Sequence, residues 1–350
     1  MSLRLAPLAL VLTACGGGGD AIGSSGSTSS WATAVPIVAS SGPSSTQTKL
    51  RGRVTMDPLG APILPAPAPD WHVNDHTFVR DREGRWRMFG IVAANPPRPK
   101  PTPAEGARKG PSFGHAASDR LTSGWSFRED RPFHEKHKEG SVLWAPHVVW
   151  DGSRYHMFYT SGGDPSAFVI SHRTSPDLSQ WSKAQEVFTD GWQGRDPMVL
   201  RLPTNEWAIY YTATEDPTRA SPHVVAVRTS SDLERWSERK IVFTDPHVGK
   251  GYGPTESPFV VARDGWYYLF IGPRPYDAPG PGRPNWEHPG YVGSDVFKSR
   301  SFDRFTDADF VGHLAVHAAE VVQDVDGRWY VSSAGIRQGG LYLSRLFWDD

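Results

Sequence analysis

Three acidic side chains occupy matching places in three strand–turn–strand segments of the sequence. Asp75, Asp196 and Glu256 each lie nine residues before the glycine or asparagine that marks the turn of their segment. Carboxylates that meet at a narrow opening repel one another and lose hydration, which is costly unless the site uses them. The competing interpretation is that each acid caps a loop or pairs with a basic neighbour, as Arg195 beside Asp196 would allow. Three acids at one offset favour a functional centre.

A cluster of three carboxyl groups suits the hydrolysis of a glycosidic bond. That reaction needs one protonated carboxyl group that donates to the leaving oxygen, and one ionised carboxylate that attacks the sugar or activates water. A like-charged neighbour moves the two pKa values apart, and a third carboxylate can bind hydroxyls or keep the pKa of the acid high. The G-x-S-x-G motif of serine hydrolases and the H-E-x-x-H motif of zinc peptidases are both absent from the sequence. We therefore expect a glycoside hydrolase site with no cofactor and no metal ligand.

Five segments of the sequence share one pattern, in which an apolar run leads into a Gly or Asn turn and then into an aromatic run. The turn residues recur at intervals of 53 to 68 residues, and they are Gly84, Gly152, Asn205, Gly265 and Gly327. Strand-forming runs on both sides of such turns predict β-hairpins. A second motif, S-x-D-L-x-x-W-S or a weaker form of it, follows most hairpins after a further strand-like run. Each unit therefore supplies about four strands, the content of one propeller blade.

The repeat predicts an all-β fold: a five-bladed β-propeller of four-stranded antiparallel blades, in a single domain without a C-terminal β-sandwich. In a propeller the innermost strand of each blade runs along the central channel, so the first residues of these strands lie at one mouth. The three acids are therefore expected to converge. The corresponding places in the second and fifth blades hold Trp144 and His317. Glu320, slightly later, is a rival for the acid role, although its offset predicts a part in blade packing.

The N-terminal segment has the layout of a bacterial export signal. A short apolar run ends in Leu12-Thr13-Ala14-Cys15, which resembles a lipobox, where the cysteine is acylated and becomes the first mature residue. An ordinary signal peptide with a chance cysteine is the competing interpretation. We expect residues 1–15 to be a lipoprotein signal peptide with an acylated Cys15, residues 16–50 to be a disordered Gly/Ser-rich tether, and residues 51–350 to be the propeller. The protein would then be lipid-anchored in the bacterial cell envelope, at the outer membrane or the periplasmic face.

Composition narrows the range of partners. The net charge is −1 and the sequence has no basic block, which argues against nucleic acid. Cys15 is the only cysteine, so a disulfide or a cysteine metal cluster is excluded. The 14 Trp and 11 Tyr suit carbohydrate binding, and they suit core packing equally well. We expect a monomer that binds a carbohydrate substrate and contacts the membrane only through its lipid anchor.

The three acids and their neighbours resemble the motifs of the furanosidase propellers, the superfamily that holds glycoside hydrolase families 32, 43, 68 and 117. The resemblance covers about residues 71–335. Asn74-Asp75 resembles the start of the family 32 motif that carries the nucleophile, and Arg195-Asp196-Pro197 resembles the motif whose Asp stabilises the transition state. Glu256-Ser257-Pro258 stands where that family has its acid/base. The resemblance implies a retaining, β-fructofuranosidase-like enzyme in which these three acids take those three roles.

Departures from the family 32 pattern make family 43 the second choice. Ser257 replaces the Cys that follows the acid/base, and His76-Thr77-Phe78 replaces Pro-Asn-Gly after the first motif. Trp144-Ala145-Pro146 is similar to family 43, the arabinofuranosidases and xylosidases. That family inverts configuration, so the resemblance would make Asp75 a general base, with Asp196 tuning the pKa of the acid Glu256.

The separation of the Asp75 and Glu256 carboxyl groups should distinguish the two mechanisms. About 5–5.5 Å favours retention, and about 6.5–9.5 Å favours inversion. The Arg195–Asp196 pair favours the family 32 alternative.

Five further residues are predicted to bind the substrate, namely Asn74, Arg195, Trp144, His317 and Trp71. An aromatic ring can stack against the apolar face of a sugar, although core packing is the competing interpretation for each tryptophan. His317 would donate to a hydroxyl or form a hydrogen bond inside the channel. A non-catalytic carbohydrate-binding propeller is the alternative from another class, but it would not need all three acids.

Overall fold

The computed structural model describes residues 53–95, 112–128, 140, 142–219, 221–245, 255–272, 291–336 and 338–349. The predicted signal peptide, the acylated Cys15 and the tether lie outside the described residues. The described residues belong to the larger of two compact units, which spans residues 32–350. They consist of antiparallel β-strands joined by turns, with short 3-10 turns at Pro165–Ala167 and Asp307–Asp309.

Within the described residues, twenty strands form five four-stranded sheets, and each sheet is one blade. The strand β1 (Val54–Met56) precedes the first blade. Blade one contains β2 (Trp71–Arg80), β3 (Trp86–Ala94), β4 (Ser112–Ser118) and β5 (Ser126–Phe127). Blade two contains β6 (Val142–Trp150), β7 (Tyr155–Gly162), β8 (Val169–Ser175) and β9 (Gln185–Thr189). Blade three contains β10 (Arg195–Arg201), β11 (Trp207–Thr214), β12 (His223–Ser230) and β13 (Lys240–Thr244). Blade four contains β14 (Glu256–Arg263), β15 (Trp266–Gly272), β16 (Ser294–Ser299) and β17 (Phe310–Leu314). Blade five contains β18 (Val321–Gln323), β19 (Trp329–Ser333) and β20 (Tyr342–Trp348).

The fifth blade is completed by the strand that comes first in the chain. β1 pairs antiparallel with β20, so that Val54 lies opposite Trp348, and the order of the sheet is β1-β20-β19-β18. Asp349 N–H donates to the Arg53 carbonyl at 2.8 Å, which extends this pairing. The two ends of the propeller sequence therefore share one blade, which closes the ring. The predicted five-bladed, all-β propeller is confirmed.

The turn chemistry read from the sequence explains the hairpins. All five predicted turn residues have a positive φ: Gly84 83°, Gly152 109°, Asn205 68°, Gly265 72° and Gly327 83°. Glycine and asparagine tolerate this conformation better than other residues, which is why the repeat carries them there.

Apolar side chains pack between neighbouring blades. Between blades one and two, for example, Phe113 meets Tyr159 edge-on with ring centroids 5.4 Å apart, and both side chains are fully buried. The repeated tryptophans add to these layers, because Trp181 of blade two packs on Phe89 of blade one, and Trp236 of blade three packs on Phe158 of blade two. Full burial of a ring such as that of Phe113 stabilises the fold by about 1.5–3 kcal/mol. The blade faces thus hold the inner strands in fixed positions around the axis.

Each innermost strand has a β-bulge near its start. The register shifts between Val73 and His76 in β2, Trp144 and His147 in β6, Arg195 and Met198 in β10, and Glu256 and Phe259 in β14. In blade five, hydrogen bonds from Ala334 N–H to the His317 carbonyl and from Ser332 N–H to the Glu320 carbonyl enclose the same insertion, residues 318–319. A bulge bends the strand and re-aims its side chains, so it decides what faces the mouth of the channel.

Candidate active site

The three predicted acids lie at the bulges, but they do not share one register. Glu256 is the last paired residue before the bulge of β14, Asp196 is the first bulge residue of β10, and Asp75 is the second bulge residue of β2. The equal spacing in the sequence comes from turns and strands of unequal length. Residues 264–265 form a shorter turn after β14 than residues 81–85 form after β2, and β10 is one residue shorter than β2 beyond its bulge. The expectation of equivalent positions is therefore wrong, although the three side chains do meet.

Ser257 connects Asp75 to Asp196 across the mouth. Its hydroxyl donates to Asp75 Oδ1 at 2.5 Å, and its backbone N–H donates to Asp196 Oδ2 at 3.2 Å. The backbone of Asp196 is also held, since its N–H donates to Thr160 Oγ1 at 2.9 Å. Residues of blades one, two, three and four are thereby joined in one hydrogen-bonded cluster.

Arg195 neutralises part of the negative charge of this cluster. Its Nη1 donates to Asp196 Oδ2 at 2.7 Å, its Nη2 donates to Glu256 Oε2 at 3.0 Å, and its Nε donates to Gln193 Oε1 at 3.0 Å. Arg195 and Asp196 are only 7% and 8% exposed, so the ion pair is largely shielded from water. Buried charges are tolerated when they are paired and hydrogen-bonded, as they are here. Arg195, predicted to bind substrate, is thus a partner of two of the acids.

The surroundings of the acids favour their protonated forms. Burial raises the pKa of Asp75, with the Ser257 hydrogen bond opposing the rise and the charge of Glu256 adding to it. Burial also raises the pKa of Asp196, against the attraction of Arg195. For Glu256, burial raises the pKa, Arg195 opposes the rise and Asp196 adds to it. One carboxyl group can therefore keep a proton while others are ionised, which is what general acid–base chemistry requires.

A cavity of about 320 Å³, which includes the part open to solvent, is lined by the innermost segments of all five blades. Asp75, Asp196 and Ser257 contribute to its wall. The residues that directly follow the bulges also line it, and they are His76, His147, Met198, Phe259 and Glu320.

Buried polar residues directly follow the bulges of blades one, two and five, and they are His76, His147 and Glu320. Burial lowers the pKa of His76 to about 4 and that of His147 to about 3, so both rings are neutral at neutral pH. Glu320 accepts hydrogen bonds from Phe78 N–H at 2.7 Å and from Thr77 Oγ1 at 3.1 Å. Burial raises the pKa of Glu320 well above its usual range. Glu320 therefore links blade five to blade one, in agreement with its predicted part in blade packing.

Two predicted substrate ligands, Trp144 and His317, are the last paired residues before the bulges of their blades, as Arg195 and Glu256 are in theirs. The half-buried Trp144 is the last paired residue before its bulge, and its ring meets the ring of Phe168 at a centroid distance of 5.3 Å. His317 is buried; its Nδ1 lies 2.9 Å from the Tyr291 carbonyl oxygen, and its ring stacks on that of Tyr291 at 3.8 Å. Burial lowers the pKa of His317 to about 4.

The other two predicted ligands are Asn74 and Trp71, and of these two Asn74 lies in a bulge while Trp71 pairs within β2. Asn74 is the first bulge residue of β2, and its buried Oδ1 has no hydrogen-bond donor among the described residues. Trp71 packs against the apolar cluster that contains Leu64, Val73 and Leu341. For Trp71 the packing contacts agree with the core interpretation rather than with stacking on a sugar.

Sequence reasoning did not single out Ser257 as a candidate site residue. It was noted only as a departure from a family motif, whereas its hydroxyl and amide contact two acids. Its position directly after Glu256 was the signal that could have drawn attention to it. Gln193, which holds the Nε side of Arg195, carried no such signal.

No helix in the described ranges is long and apolar enough to cross a membrane. Within the same ranges, no group of three or more His, Cys, Asp or Glu side chains is arranged to hold a metal ion.

Comparison with known proteins places this site in context. The model of the family "Glycosyl hydrolases family 43" matches residues 122–278. No curated protein sequence matches the chain. Similar solved structures include an endo-arabinase from Bacteroides thetaiotaomicron VPI-5482, with 13% identity over 83% of this chain and 99% of that chain and a TM-score of 0.59. An exo-1,5-alpha-L-arabinanase from a bovine ruminal metagenomic library has 17% identity over 79% and 92% and a TM-score of 0.53. A GH43_1 enzyme from Xanthomonas citri complexed with xylose has 14% identity over 82% and 89% and a TM-score of 0.56.

The family match and the five-bladed fold identify the chain as a glycoside hydrolase and support the furanosidase-type propeller superfamily. The family whose model matches is the one that sequence analysis ranked second. A closer relation to family 32 stays a prediction.

Proposed function

We propose that the chain is an exported glycoside hydrolase that cleaves furanoside-type oligo- or polysaccharides with inversion of configuration. Asp75 is the general base, Glu256 the general acid, and Asp196 orients the sugar and keeps the pKa of Glu256 high. The observation that carries this proposal is the hydrogen-bonded cluster of three buried acids, Arg195 and Ser257 at the mouth of the channel. The family 43 match and the arabinanases and xylose-binding enzyme among the similar structures support this substrate class and this mechanism.

The proposed reaction has one displacement step. The protonated carboxyl group of Glu256 gives its proton to the glycosidic oxygen while the bond from that oxygen to the anomeric carbon breaks. A water molecule forms the new bond to the anomeric carbon and gives a proton to the carboxylate of Asp75. Glu256 ends ionised and Asp75 protonated, and exchange with solvent restores both groups. The charge of Asp196 favours the protonated form of Glu256 before the step, which suits its part as the acid.

The substrate would be bound by side chains around the acids, through hydrogen bonds to its hydroxyls and through an aromatic ring against its apolar face. We assign this part to Asn74, whose amide oxygen has no donor among the described residues, and to Trp144, His317 and Arg195 at the pre-bulge register. Trp71 packs in an apolar cluster, so its part in substrate binding stays a prediction.

A retaining, β-fructofuranosidase-like enzyme is the second candidate. The Arg195-Asp196-Pro197 segment favours it, because it resembles the family 32 motif. In that mechanism Asp75 bonds to the anomeric carbon, and water later releases the sugar with its original configuration. NMR of the first product anomer separates the candidates: the inverted anomer supports the family 43 mechanism, and the retained anomer supports the second candidate.

Substitution of the two reacting acids tests the hydrolase proposal. Asp75→Asn and Glu256→Gln should each lower kcat/KM by about 10²–10⁴-fold on the best furanoside found in a screen of nitrophenyl glycosides, arabinan, levan, inulin and sucrose. Asp326→Asn and Glu206→Gln are matched controls on exposed turns, and both should keep wild-type activity. A wild-type protein that binds sugars but hydrolyses none would instead support a non-catalytic carbohydrate-binding propeller.

We also propose that the protein is a monomer, lipid-anchored through Cys15 in the bacterial cell envelope. The lipobox-like segment before the only cysteine supports the anchor. Cys15→Ser should abolish labelling by radioactive palmitate in a bacterial host, and labelling that persists would contradict this proposal. Light scattering of the soluble part should give the mass of one chain, and a larger mass would contradict the monomer.

A further inference from the structure

Ser257 contacts two of the proposed catalytic carboxylates at once. Its O–H donates to Asp75 Oδ1 at 2.5 Å, and its N–H donates to Asp196 Oδ2 at 3.2 Å. A donor on a carboxylate favours the ionised form and fixes the direction of its lone pairs. The hydrogen bond from the Ser257 hydroxyl therefore affects both the protonation state and the orientation of the Asp75 carboxyl group.

The backbone of the bulge does not require a hydroxyl at this position. Ser257 has φ 52°, and the equivalent residues Ala145 and Ala318 of blades two and five have φ 47° and 49°. Alanine therefore adopts the same left-handed conformation at the same place in the fold. The bulge therefore forms without a hydroxyl at this position. What the Ser257 hydroxyl adds is its hydrogen bond to Asp75.

We infer that Ser257 is a positioning residue: its hydroxyl orients the Asp75 carboxylate and favours its ionised form against the effect of burial, and so moves the acidic limb of the pH–activity profile to lower pH. The inference rests on the proposed function, in which Asp75 must be ionised to accept a proton or to attack the sugar. It does not depend on whether the reaction inverts or retains configuration, since both need that carboxylate.

The other charged groups of the cluster fix the direction of the effect. Glu256 and Asp196 repel the charge of Asp75 and Arg195 attracts it, while His76 and Glu320 line the same cavity. Against this background the Ser257 hydrogen bond lowers the pKa of Asp75. Removal of the hydroxyl therefore raises that pKa, and activity is lost at pH values between the old pKa and the new one.

Two substitutions with different effects on the backbone isolate the hydroxyl. Ser257→Ala keeps a Cβ at positive φ, whereas Ser257→Gly relieves that conformation, and both keep the N–H that binds Asp196. Ala318→Gly is a matched control, because it changes the same bulge position in blade five without removing a hydroxyl. Carbon-13 NMR of Asp-labelled protein, with the Asp75 signal assigned by Asp75→Asn, measures the titration of Asp75 without any need for turnover.

Both Ser257 variants should raise the pKa of Asp75 by about one unit or more, and Ala318→Gly should leave it unchanged. The acidic limb of kcat/KM should move up by the same amount, which is about a tenfold loss on that limb, while KM changes little. A pKa and an acidic limb that stay at the wild-type values in Ser257→Gly would overturn the inference and leave the hydrolase proposal intact. A pKa that shifts in a protein whose wild type hydrolyses no glycoside would instead overturn the proposed function and support the positioning of Asp75.

Discussion

Arg195 balances the charge of the three acids. Its guanidinium binds Asp196 and Glu256 directly, and its charge also opposes the raised pKa of Asp75. A buried carboxylate without a cation either becomes protonated or destabilises the fold. Arg195 therefore keeps the acids in a state where one proton can be exchanged, which is the property that a hydrolytic site needs.

Arg195→Met should destabilise the protein more at high pH than at low pH. Without the guanidinium, the folded-state pKa values of Asp196 and Glu256 rise further above their unfolded values. The folded protein then holds protons that the unfolded chain releases, so the free energy of unfolding falls as pH increases. We expect a loss of about 3–5 kcal/mol near pH 8 and a smaller loss near pH 5, measured by urea denaturation.

Arg235→Met is the matched control for that experiment, because Arg235 pairs with Asp232 on the surface and its side chain is 89% exposed. An exposed pair contributes about 0–1 kcal/mol, so this variant should change little at either pH. Equal losses in the two variants would contradict the assigned part of Arg195.

At the scale of elements, the bulged innermost strands place the acids, and contacts between blades keep those strands in position. Glu320 accepts hydrogen bonds from Thr77 and from Phe78 N–H, so the last innermost strand is joined to the first. His76 lies next to this contact and reaches Ser332 of blade five through Nε2 at 2.7 Å. The residues just beyond the bulges of blades one and five thus link these two blades.

Glu320→Gln should reduce the dependence of stability on pH. Burial raises the folded-state pKa of Glu320 well above its usual range, so the folded protein keeps a proton that the unfolded chain releases above about pH 4.3. In the wild type, each pH unit above that value should cost about 1.4 kcal/mol until the folded-state pKa is reached. The amide does not titrate, so the difference in unfolding free energy between the two proteins should change from pH 5 to pH 7 in urea titrations. A constant difference would show that Glu320 is ionised in the fold.

The elements were largely predictable from the sequence, and their register was not. The turns at Gly84 and Gly265 could be found because positive φ selects glycine, and the strands beside them follow from their residue types. The bulges carry no comparable signal, since Ala, Asp and Ser occupy the first bulge position in different blades. The bridge from Ser257 to Asp75 joins residues 182 positions apart, so only the three-dimensional structure reveals it.

At the scale of the molecule, closure of the ring makes the site. Blades one, three and four contribute one acid each, and β1 completes blade five by pairing with β20. Val54 of β1 is 2% exposed and belongs to the apolar cluster that also includes residues of blades three and four. The positions of Asp75 and Glu256 around the axis therefore depend on packing throughout the ring, and the proposed glycoside hydrolase site is a property of the whole propeller.

The most direct test of a carboxylate centre with Glu256 as the acid is the dependence of kcat/KM on the leaving group. The furanoside that the wild type cleaves would be prepared with a dinitrophenyl and with an alkyl leaving group, and both would be given to Glu256→Gln and Asp75→Asn. A dinitrophenolate leaves without protonation, so Glu256→Gln should stay close to wild type on that substrate and lose about 10²–10⁴-fold on the alkyl glycoside. Asp75→Asn should lose activity on both. An equal loss on both substrates in Glu256→Gln would contradict the assignment of the acid.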